Sequence, residues 1–230
     1  DVVSDDPWLG TILEYIDGRE LSEWVRSEGL PVDEVLELLQ PLAEALDYLH
    51  EQGIIHRDLK PANVKVRPNG RPVLLDLGIA KDLSGRSGGQ TQTMTAMGTS
   101  AWMAPEQADA KSVTPAADVY ALGLIAYALL SGRMPWGDGE SELRVLTNKM
   151  MGQLTPLPEI QPGLPPAVHE AVSRALSVDL GARPASATAF LTELRGEETE
   201  ALRQVRAAAA LADAARITEE EQAKATAAKQ

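Results

Sequence analysis

The sequence has 230 residues, a formal net charge of −13 and no cysteine, and 44% of its residues are hydrophobic. One domain with a sizeable core and an appendage fits these values, whereas disulfides and thiolate metal sites are excluded. The acidic balance argues against nucleic acid and anionic membranes as primary partners. No apolar run reaches the roughly 18 residues that span a bilayer and no signal peptide is visible, so a cytoplasmic location is expected.

Periodic patterns predict helices near the N-terminus. A short helix is expected at residues 21–25. A long helix is expected from Pro31 to Gly53, since proline suits a first helical turn and glycine a C-terminal cap. Pro41 lies inside the long helix and should kink it or weaken one turn. The apolar residues of this helix follow the helical period: Val35, Leu38, Leu39, Leu42, Leu46 and Leu49.

A short motif after this helix carries groups that suit a metal-bound phosphate. Asp58, Lys60 and Asn63 supply a carboxylate, a cation and an amide directly before a predicted strand at residues 64–66. A second carboxylate, Asp76, follows the next predicted strand. Carboxylate and amide oxygens are ligands that Mg²⁺ prefers, and Mg²⁺ leaves positions open for substrate phosphates.

A hairpin is predicted to bring two of these groups together. Its strands are residues 64–66 and 73–75, and Asn69-Gly70 indicates a two-residue turn between them. That turn pairs residue 66 with 73 and residue 64 with 75. Asn63 is therefore expected opposite Asp76, with the two Cβ atoms about 5 Å apart.

The second half of the chain is predicted to be helical. Residues 81–99 form a long, polar, Gly-rich loop, and Val119 to Leu130 is apolar on nearly every face, as in a helix at the centre of a fold. Further helices are predicted at residues 142–152, 166–176 and 186–194. From residue 196 the composition shifts to Ala, Glu, Arg and Gln, which favours a solvated helix or linker, with coiled-coil pairing as the alternative.

These motifs resemble the protein kinase family. The segment His56 to Asn63 resembles the catalytic loop, and residues 76–78 resemble the magnesium motif, with Leu77 where Phe is usual. Residues 104–106, Ala-Pro-Glu, resemble the end of the activation segment. The resemblance covers about residues 1 to 195 and is closest to the bacterial serine/threonine branch, of which Lys60 is typical.

The resemblance implies an α+β, protein-kinase-like fold, with a mainly helical large (C-terminal) lobe and a remnant of the small lobe's β-sheet. Residues 1–16 would be the end of the small lobe and the hinge, residues 17–195 the large lobe, and residues 196–230 a helical linker or tail. Neither a Gly-rich phosphate loop nor a strand lysine precedes Asp58. We therefore expect a fragment of a longer protein, nearly inactive by itself, whose parent could carry a membrane anchor elsewhere.

The resemblance also assigns catalytic roles. Asp58 would orient the acceptor hydroxyl and accept its proton, and Lys60 would neutralise charge on the migrating phosphate. Asn63 and Asp76 would hold Mg²⁺ or Mn²⁺. Arg57 would bind a phosphate on the activation loop. The candidate acceptors of that phosphate are Thr91, Thr93 and Thr95.

The ATP site is implied at the hinge. Leu13 would lie at the back of the adenine pocket, the backbone of Glu14 and Ile16 would bind the adenine edge, and Glu20 would reach the ribose. Lys65 stands on the floor of this pocket, where Leu is usual. Its alkyl stem could cover the adenine ring while the ammonium group reaches water.

Other residues have structural roles in this comparison. Thr99 would brace the catalytic loop and the substrate groove. Glu106 and Arg183 match a buried ion pair that joins the activation segment to the lobe. Asp118 is expected to accept hydrogen bonds from the catalytic-loop backbone, because a carboxylate in an apolar helix needs partners. His56 is expected to be a packed core residue.

The expected function is therefore transfer of the γ-phosphate of ATP to protein Ser/Thr hydroxyls. The partners would be protein substrates and a second copy of the chain, for trans-autophosphorylation of the activation loop. One alternative is a pseudokinase or scaffold module that lacks the small lobe. A second alternative is a metal hydrolase that uses His56, Asp58 and Asp76.

Overall fold

The computed structural model describes residues 2–5, 8–11, 14–75, 101–109, 113–197, 203–204 and 207–208. Within these ranges, the helices α1 to α6 form the body of the protein. The helices are α1 (Val32–Glu51), α2 (Ala116–Ser131), α3 (Glu142–Met150), α4 (Leu157–Ile160), α5 (Pro166–Ala175) and α6 (Ala187–Leu194). Short 3₁₀ helices occur at Leu21–Trp24, Pro61–Asn63, Pro105–Asp109 and Leu180–Ala182.

Helix α2 is the centre of the core. Every residue from 117 to 131 is buried, because neighbouring elements cover all of its faces. Helices α1, α5 and α6 all contact it. The apolar stretch predicted as a central helix at 119–130 is thus confirmed, and it extends a few residues toward the N-terminus.

Helix α1 has the predicted position and the predicted end. Gly53 adopts φ +73° beyond the last turn. Its N–H donates to the His50 carbonyl at 2.9 Å, and the N–H of Ile54 donates to the Leu49 carbonyl at 2.9 Å. This pair of bonds is a Schellman motif, which a glycine at the left-handed position favours. The helix continues through Pro41.

A side chain of α1 joins the two ends of the helical body. Asp47 accepts hydrogen bonds from the backbone N–H groups of Ala187 at 2.8 Å and Thr188 at 3.0 Å. These are orphan donors at the first turn of α6, so Asp47 caps a helix that lies about 140 positions later in the sequence. Helices α1 and α6 therefore pack side by side.

Two small antiparallel sheets accompany the helices. Strands β1 (Val2–Asp5) and β2 (Trp8–Thr11) form one pair, with Val2 opposite Thr11. The other sheet has the order β3-β4-β5, where β3 is Arg19–Glu20, β4 is Val64–Val66 and β5 is Pro72–Leu74.

The predicted register of the β4–β5 hairpin is wrong by one residue. Val66 pairs with Pro72 and Val64 with Leu74, so Asn63 is level with Leu75 and not with Asp76. The reason is the turn, which has three residues between Arg67 and Arg71. The N–H of Gly70 donates to the Arg67 carbonyl at 2.9 Å, and Gly70 has φ +81°, as expected of a type I turn followed by a left-handed glycine.

Candidate active site

Asp118 is hydrogen-bonded to the backbone of the predicted catalytic loop. Its carboxylate is 1% exposed, in the first turn of α2. It accepts hydrogen bonds from the backbone N–H groups of His56 at 2.8 Å and Arg57 at 2.9 Å. A ring nitrogen of His50 lies 2.8 Å from the same carboxylate. The expected bonds from Asp118 to the catalytic-loop backbone are therefore present.

His56 is a core residue in this loop. It is fully buried, its Nε2 lies 3.2 Å from the Leu75 carbonyl, and its Nδ1 accepts a hydrogen bond from the backbone N–H of Asp58 at 3.3 Å. Both ring nitrogens therefore have partners in the protein. Among the described residues there is no cluster of three or more His, Cys, Asp or Glu residues that could hold a metal. Asp76, which the hydrolase alternative also uses, lies outside these residues.

Arg57 has a strained backbone. Its φ is +63°, a value that few residues with a Cβ atom adopt. Such a conformation persists only where surrounding bonds hold it. Here the N–H of Arg57 is bound to Asp118 and its carbonyl accepts a hydrogen bond from Gln107 at 2.8 Å. Strain next to Asp58 is typical of a functional loop.

We expect Asp118→Ala to lower the free energy of unfolding by about 3 kcal/mol or more. The substitution removes two charge-assisted bonds to backbone N–H groups and leaves those donors unpartnered in the interior. Equilibrium unfolding in urea measures the change. Asp138→Ala, at an exposed position, is the matched control and is expected to unfold at the wild-type midpoint; equal midpoints for both variants would contradict the prediction.

Asp58, Lys60 and Asn63 lie together as the sequence predicts. The Asp58 carboxylate oxygen Oδ2 is 3.1 Å from the Lys60 ammonium and 3.2 Å from the Asn63 amide nitrogen. The Asn63 amide nitrogen also donates to the Asp58 carbonyl at 2.8 Å. The side chains of Asp58 and Lys60 are 15% and 20% exposed, so they are accessible from one side. The loop thus presents an oriented carboxylate beside a cation.

The donor set at this loop suits a hard divalent cation. Because the amide nitrogen of Asn63 is bound to Asp58, its amide oxygen is the atom that remains as a ligand. The Asn63 carbonyl accepts a hydrogen bond from the Leu75 N–H at 2.8 Å. Leu75, which precedes Asp76 in the sequence, therefore lies next to Asn63. Amide and carboxylate oxygens are the ligands that Mg²⁺ favours.

Three residues at or next to the predicted hinge, Glu14, Tyr15 and Ile16, line a cavity of about 420 Å³. It is formed by Glu14, Tyr15, Ile16, Lys65, Val73, Leu74 and Leu75. The Lys65 ammonium lies 3.4 Å from the Gly18 carbonyl at the edge of this region, while its stem borders the cavity. Glu20 does not line the cavity; its carboxylate accepts a hydrogen bond from the Ser22 hydroxyl at 3.3 Å.

The predicted ion pair between Glu106 and Arg183 is present. It is bidentate, with Nη1–Oε1 at 2.7 Å and Nη2–Oε2 at 2.9 Å. Arg183 also donates to the carbonyls of Ala116 and Ser177, each at 2.8 Å. Its guanidinium carbon lies 4.8 Å from the centre of the Tyr120 ring. Burial raises the pKa of Tyr120 far above its usual range, so this phenol is neutral.

Several site residues were not predicted from the sequence. Gln107 bridges the Ala104 N–H and the Arg57 carbonyl, and Lys149 reaches from α3 to carbonyls of the segment 101–103. A signal for Lys149 existed: it follows the buried Val145 by four positions, and therefore lies on the inner face of its helix. Gln107 carries no such signal.

Some predicted site residues lie outside the described ranges. They are Leu13, Asp76, Thr91, Thr93, Thr95 and Thr99.

A sequence model of the protein kinase domain matches residues 1–194. The chain belongs to the protein kinase family. Members of this family use ATP and a divalent metal in general. The kinase-like fold with a mainly helical large lobe and a remnant of the small lobe's sheet is confirmed, since the chain matches a crystal structure of the Mycobacterium tuberculosis PknI kinase domain. That likeness has a TM-score of 0.59 at 28% identity and covers 80% of this chain and 64% of that one.

Several curated relatives of this chain are bacterial proteins. The probable serine/threonine-protein kinase PknB of Lactococcus lactis is 34% identical over 196 residues, which cover 81% of this chain and 31% of the relative. Serine/threonine-protein kinase Pkn1 of Myxococcus xanthus is 38% identical over 202 residues, which cover 85% of this chain and 28% of the relative. The chain spans about a third of the length of the curated relatives it matches. The predicted resemblance to bacterial serine/threonine kinases is confirmed.

Proposed function

We propose that the protein carrying this chain is a serine/threonine protein kinase that uses ATP and Mg²⁺ (or Mn²⁺). The observation that carries the proposal is the loop in which Asp58, Lys60 and Asn63 are held within hydrogen-bond distance of one another. A scaffold module has no chemical need for this set. Protein substrates with an accessible Ser or Thr are the proposed acceptors.

Asp58 performs the central step. Its carboxylate accepts a hydrogen bond from the Ser/Thr hydroxyl and takes the proton as the oxygen attacks the γ-phosphorus of ATP. One phosphorus–oxygen bond forms to the hydroxyl, and the bond to the β-phosphate oxygen breaks to leave ADP. Most of the rate enhancement in such a transfer comes from alignment and charge stabilisation, so the fixed position of Asp58 matters most.

Lys60 and Asn63 set the charge around that step. The Lys60 ammonium, 3.1 Å from Asp58, stabilises negative charge on the phosphoryl oxygens. Asn63, together with Asp76, is proposed to hold the divalent metal; when bound, this ion neutralises phosphate charge. The amide nitrogen of Asn63 keeps the Asp58 carboxylate in orientation at the same time.

The nucleotide base is proposed to occupy the hinge cavity. Glu14 and Ile16 line it, and their backbone groups would bind the adenine edge. Leu13, which lies outside the described residues, and Glu20, which does not line the cavity, are proposed near the base and the ribose on the resemblance alone. The stem of Lys65 covers the floor of this pocket.

The division into residues 1–16, 17–195 and 196–230 and the cytoplasmic location are proposed on the sequence argument alone. Within the described residues, no helix is long and apolar enough to cross a membrane.

The test is transfer of label from γ-³²P-ATP to a Ser/Thr peptide by the full-length protein that carries this chain. We expect Mg²⁺-dependent labelling of Ser or Thr and release of ADP in equal amount. Binding of protein partners without any transfer, at saturating MgATP, would favour the scaffold alternative and refute the proposal.

We further propose that the activation loop is phosphorylated in trans. Phosphopeptide mapping of active enzyme should find phosphate on Thr91, Thr93 or Thr95, and Arg57 should bind it and order the segment. An Arg57→Met variant labelled by wild-type enzyme is expected to carry the same phosphates and gain less activity from them. Active enzyme with all three threonines unmodified would contradict this prediction.

A further inference from the structure

Lys149 is a buried lysine on helix α3. It is 1% exposed. Its ammonium group donates hydrogen bonds to the backbone carbonyls of Ala101 and of Met103, the latter at 2.9 Å. The nitrogen also lies 4.9 Å from the centre of the Trp136 ring and 5.9 Å from that of the Tyr120 ring. Two carbonyl dipoles and two aromatic rings are thus among the groups around this cation.

The segment that Lys149 holds is connected to the catalytic loop on its other side. Directly after Met103, the N–H of Ala104 donates to the Gln107 side chain at 2.9 Å. Gln107 in turn donates to the Arg57 carbonyl at 2.8 Å. A continuous set of hydrogen bonds therefore runs from α3 through residues 101–104 to the residue before Asp58.

The same segment packs directly against the catalytic loop. Trp102 and Met103 border, together with Arg57, Asp58 and Leu59, a gap that is too small for a water molecule. An acceptor hydroxyl must reach Asp58, and the rest of its peptide then passes this neighbouring segment, which forms a wall of the acceptor site. A shift of about 1 Å in such a wall is enough to lower a rate substantially.

A buried cation at position 149 carries a cost in stability. Burial lowers the pKa of Lys149 to about 7, because water no longer solvates the ammonium group. Among the described residues, Arg183 shares the Tyr120 ring with Lys149, and Glu106 is the partner of Arg183. Replacement of a buried charge by an apolar side chain of similar size is often neutral or stabilising. A role of this lysine in binding or catalysis would offset its cost.

We propose that Lys149 is a positioning residue for the protein substrate. It holds the carbonyls of Ala101 and Met103 so that the wall at Trp102 and Met103 faces the acceptor hydroxyl at Asp58. The inference rests on the proposed kinase function. It adds a residue outside the catalytic loop that acts on peptide recognition and leaves nucleotide binding alone.

The test compares Lys149→Met with Arg144→Met in the full-length protein. Arg144 lies on the same helix but is exposed. Its replacement by Met is therefore the control, since it also removes one cation from this helix. For Lys149→Met we expect the KM for a Ser/Thr peptide to rise about tenfold or more, as for loss of a charge-assisted hydrogen bond. The KM for ATP should stay within about twofold. The urea midpoint should fall less than for Arg183→Met, because the desolvation cost of the ammonium group is removed together with its hydrogen bonds to Ala101 and Met103. Arg144→Met should match the wild type in all three.

A pH series gives a second readout. Between pH 7 and 10.5 the unfolded chain keeps the Lys149 proton and the folded chain has lost it, so wild-type stability should rise with pH relative to Lys149→Met. As Lys149 loses its proton over this pH range, its hydrogen bonds to the carbonyls of Ala101 and Met103 are no longer strengthened by a positive charge. The ratio of peptide KM between Lys149→Met and wild type should therefore be largest near pH 6 and shrink above pH 7.

The kinetic and folding results distinguish failure of the positioning role from failure of the proposed kinase function. An unchanged peptide KM in Lys149→Met, with active wild type, overturns the positioning role alone, as does an equal rise in the KM for ATP. If Lys149→Met does not fold, Lys149→Gln, which keeps a donor, is measured for the same KM split; failure of both variants to fold shows a purely structural role. A wild-type protein that transfers no phosphate refutes the proposed function, and this inference with it.

Discussion

Replacement of Asp58 by Asn is expected to lower kcat for peptide phosphorylation by about 10²–10⁴-fold. The variant keeps the size of the side chain but loses the carboxylate that takes the hydroxyl proton. The oxygen that lies 3.1 Å from Lys60 and 3.2 Å from Asn63 becomes part of a neutral amide, so the local charge balance changes as well. Steady-state assays with γ-³²P-ATP and a Ser/Thr peptide measure the effect.

The pattern of kinetic constants identifies the cause. The KM for ATP should change little, because the hinge cavity at Glu14 and Ile16 does not include Asp58. Asp138→Asn, an exposed Asp-to-Asn change, should behave as wild type. Activity of Asp58→Asn within a factor of two of wild type would show that Asp58 is not the base, and the assignment of the loop would fail.

Loss of Arg183 is expected to have the largest effect on stability. Arg183→Met should lower the free energy of unfolding by about 3–5 kcal/mol, the usual cost of removing one partner from a buried ion pair. The change leaves the Glu106 carboxylate without its bidentate partner, and the carbonyls of Ala116 and Ser177 without their donor. Equilibrium unfolding in urea, followed by tryptophan fluorescence, gives the value.

A double-mutant cycle separates the ion pair from the packing. If Glu106→Gln and Arg183→Met were independent, their costs would add; because the two side chains share two bonds, the double variant should cost less than the sum. Arg71→Met, at an exposed position of the hairpin, is the control and should have the same urea midpoint as the wild type. Strict additivity would mean that the pair contributes nothing beyond its separate contacts.

The helices could be predicted because their patterns are local. Helix α2 is apolar on every face, and α1 combines an apolar stripe with a glycine end at Gly53, so both were recognised within a few residues. The catalytic groups Asp58, Lys60 and Asn63 lie within one short loop, and local spacing was enough to place them together.

Features that depend on turn type or on distant chain segments were less accessible. Pro68-Asn69-Gly70 permits both a two-residue and a three-residue turn, and the choice moves Asn63 from a partner at 76 to one at 75. The bonds of Lys149 to Ala101 and Met103 join segments almost fifty residues apart. The spacing from Val145 indicates an inner position for Lys149 but not its partners, and a lysine in a helix is usually exposed.

The cap that Asp47 provides for α6 has a consequence for synthesis of the chain. The ribosome completes α1 at residue 51 and reaches the Asp47 partners Ala187 and Thr188 only after well over a hundred further residues. At bacterial elongation speeds this interval is on the order of ten seconds. In the second half of this interval, the mainly apolar α2 has been synthesised before α6, and at first before α5, is available to cover it. We therefore expect a chain that ends before α6 to leave apolar surface of α2 uncovered and to aggregate more readily than the complete lobe.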